Sequence, residues 1–133
     1  MTSVQASPLL YPILVHIGWI VALYGGLTVV RAPDAWGIGG KPDGTNPFAA
    51  VEPRIAANLR NQFEWPLVFY VVSILLIVGG SSDPIQLWLA WLFVIGRVLH
   101  SGVHIALNNI RLRGLVFTIN FVAVLAMCGV FVT

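Results

Sequence analysis

The chain has 133 residues, of which 58% are hydrophobic and 9% are charged, and its mean hydropathy is +0.88. These values exclude an ordinary water-soluble domain, in which about a quarter of the residues are charged. The formal net charge of +2 reflects the orientation of a membrane protein better than nucleic-acid binding, so we predict no nucleic-acid partner. The single cysteine, Cys128, excludes an intrachain disulfide and a cysteine-rich metal site.

Four apolar segments have close to the length of about 20 residues that a helix needs to cross a bilayer. We predict the four helices near residues 8–30, 53–80, 85–107 and 113–132. No Lys or Arg precedes Arg31, so the first segment lacks the basic start of a secretory signal peptide and is predicted to stay attached. The predicted fold class is all-α: an integral membrane four-helix bundle that forms a single domain over residues 1–133.

The basic residues indicate how this bundle is oriented. The first and third connections, with the helix ends beside them, contain every basic residue except Arg97, whereas residues 80–84 of the second connection contain none. Positive charge is typical of the cytoplasmic side, so both termini are predicted on the non-cytoplasmic side. The compact connections favour a bacterial inner membrane over the endoplasmic reticulum as the location of this multi-pass protein.

The first segment and the connection after it carry two features that we interpret as structural. His16 is predicted to be a packing residue that faces the bundle, since no ionisable residue lies near it in sequence. The connection from Arg31 to Val51 is rich in Gly, Pro and Asp, and is predicted to be irregular. Its glycine-rich residues 37–41 lack the spacing and the following Ser or Thr of a phosphate-binding loop.

The second segment begins with charges at the edge of the membrane. Pro66 is predicted to bend this helix just after Glu64. Because residues three, four and seven apart share a helix face, Arg60, Asn61 and Glu64 are predicted to face the same way. Glu64 is the only carboxylate predicted within the membrane, and we expect it to pair with Arg97 or Arg60.

The third segment carries a second polar stripe, made by Arg97, His100 and His104. Arg97 lies about 15 Å from the cytoplasmic connection along the helix, where it cannot plausibly face lipid. The two stripes are therefore expected to meet inside the bundle, and their surplus of cations and donors suits an anionic ligand. Since no Cys or acidic residue lies near the two histidines in sequence, no metal site is predicted.

Three polar motifs occur in order along the last three segments: Arg60-Asn61-x-x-Glu64, Gly96-Arg97-Val98-x-His100 and Arg111-x-Arg113. Together they resemble the MAPEG superfamily, the membrane-associated proteins of eicosanoid and glutathione metabolism. The spacing is most similar to the branch of microsomal prostaglandin E synthase and microsomal glutathione transferase. The resemblance implies a homotrimer of four-helix subunits, with glutathione held between neighbouring subunits near the cytoplasmic face.

The resemblance also implies roles for individual residues. Arg113 matches the arginine that stabilises the glutathione thiolate, so it is the predicted catalytic residue, while the role implied for Arg97 is more architectural. His104 stands where relatives often have Tyr, Gly114 where the prostaglandin synthase has Ser, and Phe117 where it has Tyr. The predicted glutathione-binding residues are Arg31, Arg60, Asn61, Glu64, His100 and His104.

Three functional hypotheses follow. The leading one is a glutathione-dependent membrane transferase or peroxidase, with glutathione as co-substrate and a lipophilic electrophile that arrives from the membrane lipids. The alternative is a non-catalytic MAPEG-like protein that binds a lipid or an anionic metabolite, which the absence of hydroxyls at Gly114 and Phe117 favours. A small proton or ion pathway is less favoured, because only one carboxylate is predicted within the membrane.

Overall fold

The computed structural model describes residues 6–107 and 109–133. Within these ranges the chain is all-helical, and α2 with α3 forms one of four stretches that are long and apolar enough to cross a membrane. The protein is thus a multi-pass integral membrane protein, and the predicted all-α four-helix bundle is confirmed. The helices are α1 (Leu10–Trp36), α2 (Glu52–Asn61), α3 (Pro66–Val78), α4 (Pro84–Ala106) and α5 (Ile110–Val132).

Helix α1 extends six residues past its predicted end at residue 30. Pro33 lies inside it, and the side chain of Asn46 donates to the main-chain oxygen of Val30 at 2.9 Å, which ties the following connection to the helix. The helix ends where Gly37 adopts a left-handed conformation with φ of 67°. Arg31 therefore lies within a helix, and the irregular connection begins only after it.

The second membrane span is interrupted, so the continuous helix predicted over residues 53–80 is wrong. α2 ends at Asn61, residues 62–65 form turns, and α3 starts at Pro66. Pro66 has no amide hydrogen to donate to the main-chain oxygen of Gln62, four residues earlier. The bend predicted at this proline is thus a break between two helices.

The last two helices form an antiparallel hairpin, and α4 and α5 make the most extensive helix contact among the described residues. The carboxylate of Asp83 accepts a hydrogen bond from the Ile85 amide at 2.9 Å, and Pro84 occupies the first turn of α4. The side chain of Asn109 accepts from the Leu112 amide at 3.1 Å, so α5 starts three residues earlier than predicted.

Each half of the bundle contains an apolar cluster, and buried polar side chains lie between the two clusters and beside them. We call the half near the chain termini the terminal half, and the half near the α1–α2 and α4–α5 connections the connection half. The core of the terminal half is apolar, and the Phe69 and Phe93 rings stack there with centroids 4.2 Å apart. Where this core ends, the interior contains polar side chains that are buried: His16, Asn58, Gln62, Arg97 and Ser101.

Candidate functional site

A network of buried hydrogen bonds lies beside the break between α2 and α3. Gln62 is at its centre and is fully buried. Its side-chain oxygen lies 3.0 Å from His16 Nε2 and accepts a hydrogen bond from Arg97 Nε at 3.2 Å. Its side-chain nitrogen donates to Asn58 at 3.3 Å and to Ser101 at 3.1 Å. The network joins α1, α2 and α4 around one amide group.

Arg97 caps the C-terminal end of α2. Its side chain is almost fully buried, and Nη2 donates to the main-chain oxygen of Asn61 at 2.9 Å. The last carbonyls of a helix have no donor within the helix, so the guanidinium takes the place of a missing amide. This contact is what an architectural role of Arg97, as the family resemblance implies, would require.

Two adjoining cavities open beside the break, between α2, α4 and α5. One has a volume of about 410 Å³ and the other of about 500 Å³, and both are lined by Asn61, His100 and Phe117. We call their combined lining the Asn61 surface. Its residues are Ala57, Asn61, Glu64, Trp65, Arg97, His100, His104, Ile110, Arg113, Gly114 and Phe117.

The Asn61 surface brings together five of the predicted site residues: Asn61, Glu64, His100, His104 and Arg113. The two histidine rings lie side by side, with centroids 5.8 Å apart. Both Nδ1 atoms are buried and have no hydrogen-bond partner among the described residues. A buried polar atom without a partner is costly, and neither nitrogen is exposed on the cavity wall.

Arg31 and Arg60 lie on a different surface, which is formed between α1 and α2 around a cavity of about 550 Å³. Arg31 Nε donates to a carboxylate oxygen of Glu52 at 2.6 Å there. We call this lining the Arg60 surface. Its residues are Tyr24, Leu27, Arg31, Glu52, Pro53, Ala56, Leu59, Arg60 and Phe63.

The prediction that Arg60 shares a face with Asn61 and Glu64 is therefore wrong. Consecutive residues of a helix point in directions about 100° apart, so Arg60 and Asn61 contact different neighbours. The helix also ends at Asn61, and the spacing rule does not apply across the break to Glu64. One copy of the chain does not assemble the predicted residues into a single site.

The predicted ion pair of Glu64 with Arg97 or Arg60 is also wrong. Within residues 6–107 and 109–133, the ion pair that forms joins Arg31 to Glu52. Arg97 donates instead to uncharged oxygens, of a side-chain amide and of the main chain. Over the same ranges, no three His, Cys, Asp or Glu side chains are grouped closely enough to hold a metal ion.

The sequence did not lead us to three buried residues that hold the site residues in place without lining the cavities: Asn58, Gln62 and Ser101. A signal for them was present. Asn58 and Gln62 are four residues apart, as are Arg97 and Ser101, so the members of each pair share a helix face. Two such pairs on neighbouring membrane helices indicate a hydrogen-bonded contact inside the bundle.

Comparison with known proteins identifies one family. The family model described as the MAPEG family matches residues 9–133 of the chain. No curated protein and no solved structure matches the chain. The matched range contains all five helices and every residue of the Asn61 and Arg60 surfaces.

Proposed function

The chain belongs to the MAPEG family, and on this premise we propose that it is a glutathione-dependent membrane transferase or peroxidase acting on lipophilic electrophiles. One observation carries the proposal: the Asn61 surface groups two arginines, two histidines and an amide around two adjoining cavities, and Glu64 is the one carboxylate among the described residues that line them. Cations and hydrogen-bond donors outnumber the acid. This composition suits glutathione, an anionic tripeptide with both carboxylates and an amino group.

Arg113 is the proposed catalytic residue. The thiolate of glutathione is the nucleophile, and a guanidinium beside the sulfur favours the thiolate over the thiol. The sulfur attacks an electrophilic carbon, a carbon–sulfur bond forms, and the leaving group departs with its electron pair. With a hydroperoxide, the sulfur attacks the terminal oxygen and the oxygen–oxygen bond breaks. The products are glutathione sulfenic acid and an alcohol, and a second glutathione converts the sulfenic acid to the disulfide and water.

Asn61, Glu64, His100 and His104 are proposed to orient glutathione. Glu64 would accept from its amino group, while the imidazole rings of His100 and His104, which line the cavities, would hydrogen-bond to its carboxylates. Fixing both ends of the tripeptide orients its sulfur, which lowers the entropic cost of reaction. The electrophile is proposed to enter from lipid past Phe117 and Phe121, which are 39% and 37% exposed.

The proposed assembly is a homotrimer whose copies share each site. Arg60 is exposed and is adjacent to Asn61, whose main-chain oxygen contacts the buried Arg97. An arginine that faces lipid at this depth is costly, so a covering subunit would stabilise it. Contact between the Arg60 surface of one copy and the Asn61 surface of the next is head-to-tail, and such contacts close into a ring.

Orientation and location complete the proposal. The basic connections place the site near the cytoplasmic face, with both termini outside. We assign the protein to a bacterial inner membrane, and protease accessibility of the α1–α2 connection in sealed inverted membrane vesicles tests the orientation. Cleavage from the non-cytoplasmic side would contradict it.

Non-catalytic binding of a lipid or anionic metabolite is the second candidate, and one observation favours it. No Ser, Thr or Tyr is among the described residues that line the Asn61 surface. Gly114 and Phe117 bring no hydroxyl to the side of Arg113, so the guanidinium alone would have to stabilise a thiolate. Turnover with an electrophile separates the two candidates.

The proposal is tested by titrating the purified protein, in lipid nanodiscs, with glutathione and following the ultraviolet absorbance of the thiolate. We expect saturable binding, a thiolate signal and conjugation of an electrophilic aryl chloride. Arg113→Gln should abolish the thiolate signal. Arg111→Gln removes the same charge from an exposed residue that does not line the cavity, so it should behave as the wild type.

Each other outcome of that titration has a defined meaning. Binding without a thiolate signal or turnover would favour the non-catalytic candidate. Absence of any glutathione binding would overturn the proposed function.

A further inference from the structure

We propose that Gln62 is a positioning residue, which holds Arg97 and the α2–α3 break in the geometry that turns Asn61 and Glu64 toward the cavity. Gln62 does not line either cavity of the Asn61 surface, so it would act without touching the ligand. This inference rests on the proposed function, since it takes the Asn61 surface as the glutathione site.

The side-chain amide of Gln62 has only one orientation that satisfies its neighbours. Arg97 Nε carries a hydrogen and cannot accept, so the atom 3.2 Å away must be the Gln62 oxygen. The nitrogen then faces two oxygens that accept, those of Asn58 and Ser101. A flipped amide would place donor against donor at a buried position, which is costly.

The same oxygen fixes the tautomer of His16. Because the Gln62 oxygen has no hydrogen to give, His16 Nε2 must donate to it across 3.0 Å. In a neutral ring the Nδ1 atom is then an acceptor, and it takes the hydrogen of the Tyr70 hydroxyl. The donors therefore run in one direction from Tyr70 through His16 to Gln62, which ties α3 and α1 to the end of α2.

Every hydrogen-bonding position of the Gln62 amide is occupied. The oxygen accepts two hydrogen bonds and the nitrogen donates two, which is the full capacity of the group. The Ser101 hydroxyl also accepts from Trp19 Nε1 at 3.0 Å, which extends the network on the α1 side. The amide at the centre of the network is therefore satisfied at every position and specifies one arrangement of the helices that it joins, while Asn58 Nδ2 has no partner among the described residues.

Arg97 connects Gln62 to Asn61, which lines both cavities. Its Nε bonds to the side chain of Gln62 and its Nη2 to the main chain of Asn61, so one guanidinium clamps two consecutive residues. Pro66 removes the amide that would otherwise continue the backbone ladder here. The hydrogen bonds of Arg97 therefore add to the turn hydrogen bonds of the backbone, from Gln62 N to Leu59 O and from Phe63 N to Arg60 O, in fixing the direction of residues 61–64.

Gln86 offers a matched control within the same bundle. It is also buried, at 1% exposure, but its amide makes one hydrogen bond, to the main-chain oxygen of Met127 at 3.1 Å. Gln86 lies near the start of α4, in the terminal half and outside both surfaces. Replacing either glutamine by Leu removes a buried amide, and only one replacement breaks the clamp.

The first test compares glutathione affinity in Gln62→Leu, Gln62→Glu and Gln86→Leu. We expect Gln62→Leu to raise the Kd for glutathione about tenfold, since it misplaces binding groups. The thiolate signal at saturation should stay at the wild-type level, because Arg113 is untouched. Gln62→Glu keeps an acceptor for Arg97 and His16, so its Kd should stay within about threefold of wild type. Gln86→Leu should leave the Kd unchanged.

The second test needs no ligand. Hydrogen exchange of the amides of residues 60–65, measured by mass spectrometry, should be faster in Gln62→Leu and unchanged in Gln86→Leu. If Gln62→Leu does not fold, Arg97→Lys takes its place, because an ammonium group lacks the guanidinium fork that clamps two residues. It should show the same faster exchange.

The outcomes distinguish this inference from the proposed function. If wild-type protein does not bind glutathione, the proposed function fails, while the exchange data still decide whether the clamp exists. Equal Kd values for the two Leu variants, a Gln62→Glu variant as weak as Gln62→Leu, or unchanged exchange at residues 60–65 would each overturn the positioning role.

Discussion

The two surfaces on either side of α2 are built in different ways. Behind the Asn61 surface lies a buried network that fixes the direction of its side chains. The Arg60 surface is open: Arg31, whose side chain is 52% exposed, pairs with Glu52, and Arg60 is exposed and forms no ion pair with another described residue. A surface fixed from within is suited to chemistry, which requires positions accurate to fractions of an ångström. A surface of exposed cations is suited to holding a ligand whose remaining contacts come from another subunit.

The largest expected effect separates chemistry from binding. Arg113→Gln, on the Asn61 surface, should lower kcat/KM about 100-fold, because a charge that stabilises the reacting sulfur is lost. Arg60→Gln should instead raise KM for glutathione about tenfold with kcat nearly unchanged, as expected for lost ground-state binding. Steady-state kinetics with varied glutathione measure both values. If Arg60→Gln lowers kcat as much as Arg113→Gln does, the assignment of binding to the Arg60 surface and of chemistry to the Asn61 surface is contradicted.

A second, smaller effect concerns the close approach of α4 and α5 behind the Asn61 surface. A Cβ atom added at Gly96 would overlap the buried side chain of Asn120. Gly96→Ala should therefore lower the free energy of unfolding by about 1–3 kcal/mol. Thermal unfolding in a fixed detergent measures the change.

Gly102 in the same helix is the control, because a Cβ there meets no atom within 4 Å. Gly102→Ala should be neutral or stabilising, by up to about 1 kcal/mol, since Ala favours the helix. Equal stability of the two variants would show that the α4–α5 contact is not tight at Gly96.

The smallest effect is expected on the Arg60 surface. Glu52→Gln removes the ion pair with Arg31, and exposed pairs contribute only about 0.2–1 kcal/mol. The loss should shrink further in high salt, which screens exposed charges. Thermal unfolding at low and high ionic strength measures this loss. If Glu52→Gln lowers the free energy of unfolding by more than Gly96→Ala does, and independently of salt, the prediction that this ion pair contributes less than the α4–α5 contact is contradicted.

The fold was largely predictable because membrane helices leave a strong signal in the sequence. Long apolar segments separated by polar connections predict four spans, and the structure has four. The details were less predictable where two rules compete. Pro66 predicts a bend, and the structure has a break, at which Arg97 donates to the main-chain oxygen of Asn61, the last residue of α2. Pro33, by contrast, does not end α1, which continues to Trp36.

The sequence predicted several residues of the candidate site, but it did not predict which of them lie on the same surface. Asn61 and His100 meet at one cavity lining, as the two polar stripes indicated, and Arg113, which the family resemblance pointed to, lies on the same lining. Arg60 does not, because helical spacing gives faces only within an unbroken helix and α2 ends one residue later. Gln62 was missed although its spacing of four residues from Asn58 was a signal, because an uncharged amide gives a weaker signal than the charged residues on either side of it.

The most direct test of the account is whether one site needs both surfaces from different copies. Arg60→Gln and Arg113→Gln chains, each inactive or weakened alone, would be co-expressed with different tags and the mixed trimers purified. In a cyclic mixed trimer, one contact joins an intact Arg60 surface to an intact Asn61 surface. The account predicts that mixed trimers recover about a third of wild-type turnover at low glutathione, one restored site among the three of a cyclic trimer. Mixed trimers no more active than the average of the two parent variants would contradict it.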